Sequence, residues 1–397
     1  MSFPQLSGHP NSIQLTADGT LLIKQTLRLE HEFYTMMEQA RAMGALDAPG
    51  SDNALDERTL LALKNLNRLS RFVSKFYGVL TEGNVSVEAL NVSEGAVPKT
   101  STGDTNAKQF LVLSNLVDSF KKPNVLDLKL GTVLYDELDQ ACSENKKARM
   151  IKVARETTTG ECGLRLTAFQ VNTSLMPVTT PRIYGKSLKK EQLPEGIRRV
   201  FPVLGEPIPI LVPGAASPSV GSSSPSDTST PRFDGFSTTS SPWNTPISTS
   251  NTADSTTVSR TDLGLPPSIL LPILRAIHNS LTHLHSILKD IEIRIIGGSL
   301  LVVWEGDQER AQEESRPQTS AASQSLPSEP LPDREKPKRK PSAPYKIALI
   351  DFAHTRFVPG QGPDSGVLLG LETFAGLVEE RIKEVEGSER GRTEEAG

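Results

Sequence analysis

Between Ser217 and Ser259 more than half of the residues are Ser or Thr, and the few apolar ones follow neither a helical nor a strand period. A segment of that kind buries too little surface to offset the entropy of ordering it. Residues 214–260 are therefore expected to be a disordered insert that interrupts whatever core the chain builds. A second biased stretch, 306–344, is acidic at first, then rich in Ser, Gln and Pro, then basic at Lys336, Lys338, Arg339 and Lys340; it is expected to be disordered too, and 387–397 to be a flexible tail. Three ordered blocks remain: 1–213, 262–305 and 345–386. Composition agrees, because the 397 residues are only 36% hydrophobic, with 29 Pro and 29 Gly, against about 45–50% in an ordinary globular chain.

Two cysteines cannot form a disulfide framework, and the start MSFPQLSGHPNSIQL has neither a basic nor an apolar leader region. No apolar run approaches the length of a bilayer span. A reducing compartment is expected, nucleus and cytoplasm, with Lys336 to Lys340 as either a nuclear signal or solvated linker. The balance of 43 Lys and Arg against 47 Asp and Glu, a net charge of −4, excludes little.

The ordered blocks carry recognisable periods. A turn at Gly19 leads to a strand at Leu21, Leu22 and Ile23, and then an amphipathic helix over 28–43. Strands are predicted at 110–113, 124–130 and 164–172, and a strongly basic helix at 144–155. Residues 266–290 read as a core helix, with apolar positions 270, 273, 274, 277, 281, 284 and 288. Alternation at Ile291, Ile293 and Ile295, a Gly297-Gly298 break and the apolar run 300–304 read as a hairpin. The third block opens with a strand at 345–350 that ends in Asp351.

Alternation in Pro123-Asn-Val-Leu-Asp-Leu-Lys-Leu-Gly131 puts Asp127 and Lys129 on one strand face. By itself that is equally a surface ion pair on an edge strand, worth about 0–1 kcal/mol. The next helix concentrates Lys146, Lys147, Arg149, Lys152 and Arg155, three of them in one stripe. Like charges so placed repel unless an anion neutralises them. No aromatic residues interleave with them, which disfavours nucleic acid and favours a compact, multiply phosphorylated small molecule. Asp351 at a strand end, three residues before His354, suits a Mg²⁺ ligand beside a phosphate-facing group, although a strand-end Asp is also a turn former. Lys24 and Glu32 could form the Lys–Glu pair that holds nucleotide phosphates in kinases.

Other motifs fail. Tyr184-Gly-Lys-Ser187 lacks the first glycine of a phosphate-binding loop, since Thr180 stands there. His278, His283 and His285 lack metal-ligand spacing on a helix, Cys142 and Cys162 have no second pair for zinc, and no HRDxxxxN loop of a protein kinase is present.

The motif PxxxDxKxG, read as Pro123, Asp127, Lys129 and Gly131, resembles the signature of the inositol polyphosphate kinases. Ser299-Leu-Leu301 and Ile350-Asp-Phe-Ala-His-Thr355 resemble two further family segments in the right order. Gly8-His9, Glu32-Phe-Tyr34, Lys75-Phe-Tyr-Gly78 and Tyr184-Gly-Lys-Ser-Leu188 extend the likeness over all three blocks. The short stretch between Gly131 and Leu164, with Glu156-Thr-Thr-Thr159, looks like the fungal multikinase branch; the hexakisphosphate kinases are the runner-up.

The resemblance implies an α+β, two-lobed kinase-like fold, with a first lobe over 1–113 and a second over 114–386 that contains the binding helix 144–155. It implies ATP and Mg²⁺ as cofactors and conversion of inositol trisphosphate to tetrakis- and pentakisphosphates. Lys24 would contact ATP phosphates and Glu32 would position it. The 112–116 segment, including Ser114 and Leu116, would offer its backbone to adenine, and Asp127 would hold the ribose. Lys129, Asp351 and Ser299 would be catalytic, Asp351 as the metal ligand. Lys129, Arg149, Lys152, Arg155, Arg182 and His354 would bind substrate. Val367 departs from the family's Tyr in Asp364-Ser-Gly-Val-Leu-Leu-Gly-Leu371, a matter of local packing. Phosphoinositide headgroups and transcription-regulatory proteins are further expected partners, nucleic acid and a transmembrane segment are not, and a monomer is expected. The other class of protein compatible with these features is a scaffold with a weakened kinase-like core, whose insert carries Ser/Thr-Pro pairs at Ser217, Ser224, Thr230, Ser241 and Thr245.

Overall fold

The computed structural model describes residues 13–44, 57–81, 108–139, 142–173, 177–210, 258–315 and 343–395. Gly8-His9, the five Ser/Thr-Pro pairs and the 336–340 cluster lie outside them, as do residues 214–257 of the first expected insert and 316–342 of the second. The chain divides into two units, one of residues 1–206 with 261–397 and one of residues 207–260.

The first sheet begins as β1 (Ile13–Leu15) and β2 (Leu21–Gln25), joined by a turn in which Asp18 accepts hydrogen bonds from Thr16 Oγ1 and the Thr20 amide. Helices α1 (Arg28–Gly44) and α2 (Glu57–Ser70) follow, then β3 (Phe76–Thr81) and β4 (Gln109–Ser114), giving an antiparallel sheet in the order β1-β2-β4-β3. Leu21 and Ile23 alternate into its core while Lys24 takes the other face.

Next come β5 (Pro123–Leu130), α3 (Glu144–Glu156), α4 (Thr158–Cys162), β6 (Leu164–Asn172), β7 (Pro177–Thr180), α5 (Arg182–Ser187) and α6 (Leu193–Val200). In the second unit, β8 (Ile208–Ile210) and β9 (Val258–Arg260) form an antiparallel pair. The first unit resumes with α7 (Pro267–Leu288), β10 (Ile293–Ile296), β11 (Ser299–Glu305), α8 (Gln308–Glu314), β12 (Tyr345–Ile350), β13 (His354–Phe357) and α9 (Ser365–Glu395). The second sheet runs β12-β11-β5-β6-β7, so β5 is its central strand and the edge-strand reading of Asp127 and Lys129 falls away. The result is the expected α+β plan with a sheet in each half. Among the described residues no helix is long and apolar enough to cross a membrane.

All seven apolar positions read for the core helix are at most 2% exposed in α7. Each such burial contributes about 1.5–3 kcal/mol. α7 packs against α9 and β12. The halves are joined closely: α1 packs on β13, α2 on α7, and the Leu349 amide donates to Phe72 O at 2.7 Å.

Four features differ from the sequence reading, the first being that residues 258–260 of the expected disordered insert form β9, paired with β8. β10 pairs with β13 rather than with β11, whose two edges are taken by β5 and β12; Gly297, at φ 70°, turns the chain from one sheet into the other instead of closing a hairpin. Residues 308–314 of the second expected insert form α8, capped by Asp307. The expected tail from 387 continues α9 to Glu395, propagating a helix whose body packs on α7.

Candidate active site

Lys24, at the outer end of β2, places Nζ 2.7 Å from Glu30 Oε1 and 2.8 Å from Asp351 Oδ1. Glu30 lies in the first turn of α1 and is 1% exposed; its Oε1 also accepts the Phe352 amide at 3.2 Å. The expected partner, Glu32, is exposed and pairs with Arg28 at 2.8 Å. Two helical residues turn the side chain by about 200°, so Glu30 and Glu32 occupy opposite faces and only one can meet β2. Thr26 Oγ1 donates to the second Glu30 oxygen at 3.3 Å.

Asp351 follows β12 with φ 66°, and no other non-glycine among the described residues has positive φ. This sparsely populated conformation, tolerated by Asp at a small cost, is typical of functional sites. It aims the carboxylate between two lysines: Oδ2 lies 3.4 Å from Lys129 Nζ, which also donates to Gly297 O at 2.6 Å. Burial works to raise the Asp351 pKa, but the charges of Lys24 and Lys129 and their hydrogen bonds outweigh it and hold it below the ordinary carboxylate value. Burial likewise works to lower the Lys24 pKa, and Asp351 and Glu30 reverse it to a net rise. Phe352 anchors the bend, its ring stacked on Phe33 of α1 at 3.8 Å between centroids.

Strand register sets Ile350, Ser299, Lys129 and Arg165 side by side across β12, β11, β5 and β6. Directly paired residues share a face. Ser299 is 1% exposed and its hydroxyl has no hydrogen-bond partner among the described residues. Asp127, two positions along β5 and 1% exposed, leaves both carboxylate oxygens unpartnered, while Arg165 leaves Nε and Nη1 unpartnered. Burial pulls the Arg165 pKa down, with the Asp127 charge opposing it. Buried charged groups without hydrogen bonds are costly, and polar groups of a ligand would offset that cost here. Arg165 escaped the sequence reading; a lone arginine between Leu164 and Leu166 in an otherwise apolar strand start was its only signal. A β6 bulge opposite Asp127 and Leu128 was not readable at all.

Gly131 closes the signature strand at φ 94°, and a Cβ there would lie 3.7 Å from Val367 Cγ2. Val367 is 1% exposed and fills that contact. Asp364 caps the start of α9 through the Gly366 and Val367 amides and accepts the Ile295 amide at 3.0 Å, fixing the helix against β10.

α3 begins at the Ser143 cap and buries none of its residues. Lys152 lies 3.8 Å from Glu156, and Lys147 lies 3.8 Å from Glu137. Arg149 and Arg155 have no hydrogen-bond or ion-pair partner among the described residues, and nothing links the stripe directly to the Lys24–Asp351–Lys129 cluster. Packing supplies the connection: α3 rests on α4, and α4 on β6. Arg182 opens α5 and is exposed. His354 Nδ1 lies 3.8 Å from Asp136 Oδ2, which Arg356 also binds at 2.7 Å. Asp136 thus ties the loop before α3 to the strand after Asp351. Neither Asp136 nor Arg356 was singled out from sequence.

The expected hinge is narrower than 112–116. Val112 and Leu113 are bonded into the sheet between β2 and β3, the Ser114 carbonyl accepts Ser74 Oγ at 2.8 Å, and the Ser114 and Asn115 amides donate to Lys75 O and Thr20 O. Among the described residues the Leu116 amide and the Asn115 and Leu116 carbonyls stay unpaired. Beyond the hinge, Glu305 accepts the Lys121 and Lys122 amides at 2.8 Å and fixes the approach to β5.

Among the described residues no three His, Cys, Asp or Glu side chains converge as metal ligands. A metal held at Asp351 would have few protein carboxylates around it, which suits Mg²⁺, an ion that takes one or two carboxylates and completes its shell with phosphate oxygens and water.

The model of the inositol polyphosphate kinase family matches residues 110–204 and 269–379. The chain belongs to the inositol polyphosphate kinase family. The two matched blocks carry the Asp127–Gly131 strand, α3, Ser299 and Asp351, whereas Lys24 and Glu30 reach the site from outside them. An inositol polyphosphate multikinase of Saccharomyces cerevisiae is 23% identical over 396 residues, covering 93% of this chain and 94% of its own. Inositol hexakisphosphate kinase 3 of mouse is 24% identical over 282 residues, 68% of this chain and 50% of its own. This family member shares the fold of the S. cerevisiae inositol phosphate multikinase Ipk2 crystallised with ADP and Mn²⁺, with a TM-score of 0.52 at 21% identity over 92% of this chain and all of that one.

Proposed function

We propose that the protein is an ATP- and Mg²⁺-dependent multikinase that phosphorylates inositol trisphosphate and tetrakisphosphate. The observation that carries this is the Lys24–Asp351–Lys129 cluster, two ammonium groups on one carboxylate beside the unpartnered Asp127, Ser299 and Arg165. That arrangement can neutralise a transferring phosphoryl group, and phosphoryl transfer depends on positioning and charge rather than on covalent chemistry.

Lys24, held by Glu30, would grip the nucleotide phosphates, and the free Leu116 backbone groups would meet adenine. Asp127 would accept from ribose hydroxyls. Bound at Asp351, Mg²⁺ would supply charge neutralisation on the phosphates. Lys129 would stand between the transferring group and the inositol, with Ser299 donating to a phosphate oxygen. Arg149, Lys152, Arg155, Arg182 and His354 would bind the phosphates of the substrate, and an exposed α3 leaves room for several phosphate patterns.

The test is incubation of purified protein with labelled ATP, Mg²⁺ and a panel of inositol phosphates, followed by chromatographic identification of products. Tetrakis- and pentakisphosphates support the proposal. Pyrophosphates formed from inositol hexakisphosphate alone would reassign it to the hexakisphosphate kinases, the reading favoured by the mouse relative, and no transfer to any inositol phosphate would favour the scaffold reading.

A further inference from the structure

Beside the hinge, lined by α2, the α2–β3 link and β12, lies a cavity of about 440 Å³, within the range of small-molecule sites, about 300–1,000 Å³. Its described lining includes four cations, Arg41, Arg71, Lys75 and Lys346, and no carboxylate. Arg41 is spent on the wall itself, donating to the Ser70 and Val73 carbonyls and to Glu38. The other three are not so spent. Arg71 is exposed and has no side-chain partner among the described residues. Lys75 Nζ sits 4.9 Å over the Tyr77 ring. Lys346 is half-buried in β12, where burial lowers its pKa and the Asp118 charge only partly offsets that. Three cations line one hollow and Asp118 acts on Lys346 alone, an arrangement that favours entry of an anion. The hydroxyl of Ser74, 3% exposed, and that of Ser114 add polar groups at its edge.

We propose that this cavity is a second anion site, separate from the Lys24–Asp351–Lys129 cluster, that takes a small phosphorylated molecule between Arg71, Lys75 and Lys346 and stiffens the hinge when filled. Stiffening follows from the walls. Ser114 and Leu116 are hinge residues, Arg71 and Lys75 flank the α2–β3 link, and Lys346 belongs to the other sheet, so one bound anion would add a charged bridge to the backbone bonds that already join them, Lys75 O to the Ser114 amide and Phe72 O to the Leu349 amide.

Pyrophosphate is the probe, titrated calorimetrically into the full-length protein. Lys129→Gln should keep a pyrophosphate site, whereas Arg71→Gln/Lys346→Met should weaken that site at least about tenfold. Because Lys346 lies within a strand, Arg71→Gln/Lys75→Gln, which changes only exposed side chains, should show the same loss with an unchanged melting temperature in phosphate-free buffer. In Lys129→Gln, pyrophosphate should also slow hydrogen exchange at the Leu116 amide. Wild-type binding by both double variants, loss of all binding in Lys129→Gln, or unaltered exchange at Leu116 with the site filled would each overturn the proposal. The binding arm needs no catalysis, so its failure is distinct from failure of the kinase reading.

Discussion

Lys24 and Asp351 are separated by 327 positions in the chain, yet Lys24 Nζ donates to Asp351 Oδ1 at 2.8 Å. The contact joins the first sheet to the end of β12 at the point where Asp351 adopts φ 66°. Asp351→Asn keeps a residue that tolerates this conformation and removes the charge. Phosphotransfer is expected to fall at least about 100-fold, with circular dichroism unchanged; retained turnover would show that the metal ligand lies elsewhere.

Glu30 and Glu32 offer a discriminating pair. Glu30→Gln weakens the grip on Lys24 and is expected to raise the KM for ATP and lower kcat. Glu32→Gln breaks only an exposed pair with Arg28, and stability and rate should stay within about 0.5 kcal/mol of wild type. Steady-state kinetics on both variants decides which glutamate serves the lysine.

The α3 stripe is expected to act on substrate alone. Since α3 buries none of its residues, Arg149→Gln/Lys152→Gln/Arg155→Gln should leave the melting temperature unchanged. The KM for inositol trisphosphate should rise at least about tenfold, for three lost charge-assisted contacts, while the KM for ATP stays constant.

Stability should depend on pH through the same cluster. The Asp351 pKa is depressed in the folded protein, so its contribution is present above about pH 4, the unfolded value, and is lost as pH falls through the folded one. Lys24 is shifted upward, so its contribution is complete below about pH 10.4 and is lost as pH rises past its folded pKa. Chemical denaturation of wild type, Asp351→Asn and Lys24→Met should show the Asp351 difference shrinking below pH 4 and the Lys24 difference shrinking above pH 10.5.

Much of this protein is determined by sequence over short distances. The periods of α7 and β5, the strand ending at Asp351 and the cationic stripe of α3 are written within single segments, and each forms near the predicted bounds. A motif spaced over nine residues, Pro123 to Gly131, sufficed to suggest the family. Partnership is another matter. Whether Lys24 meets Glu30 or Glu32 depends on which face of α1 turns to β2, and whether β11 pairs with β10 or with β5 and β12 depends on where Gly297 sends the chain. Arg165 becomes part of the site only because β6 lies beside β5 in a register that sets it against Lys129. Ion pairs act over a few ångströms of space, and strand pairing selects neighbours by the burial of whole faces. Those distances exist only once the sheets have packed, so the tertiary structure alone decided which of the legible residues form one site.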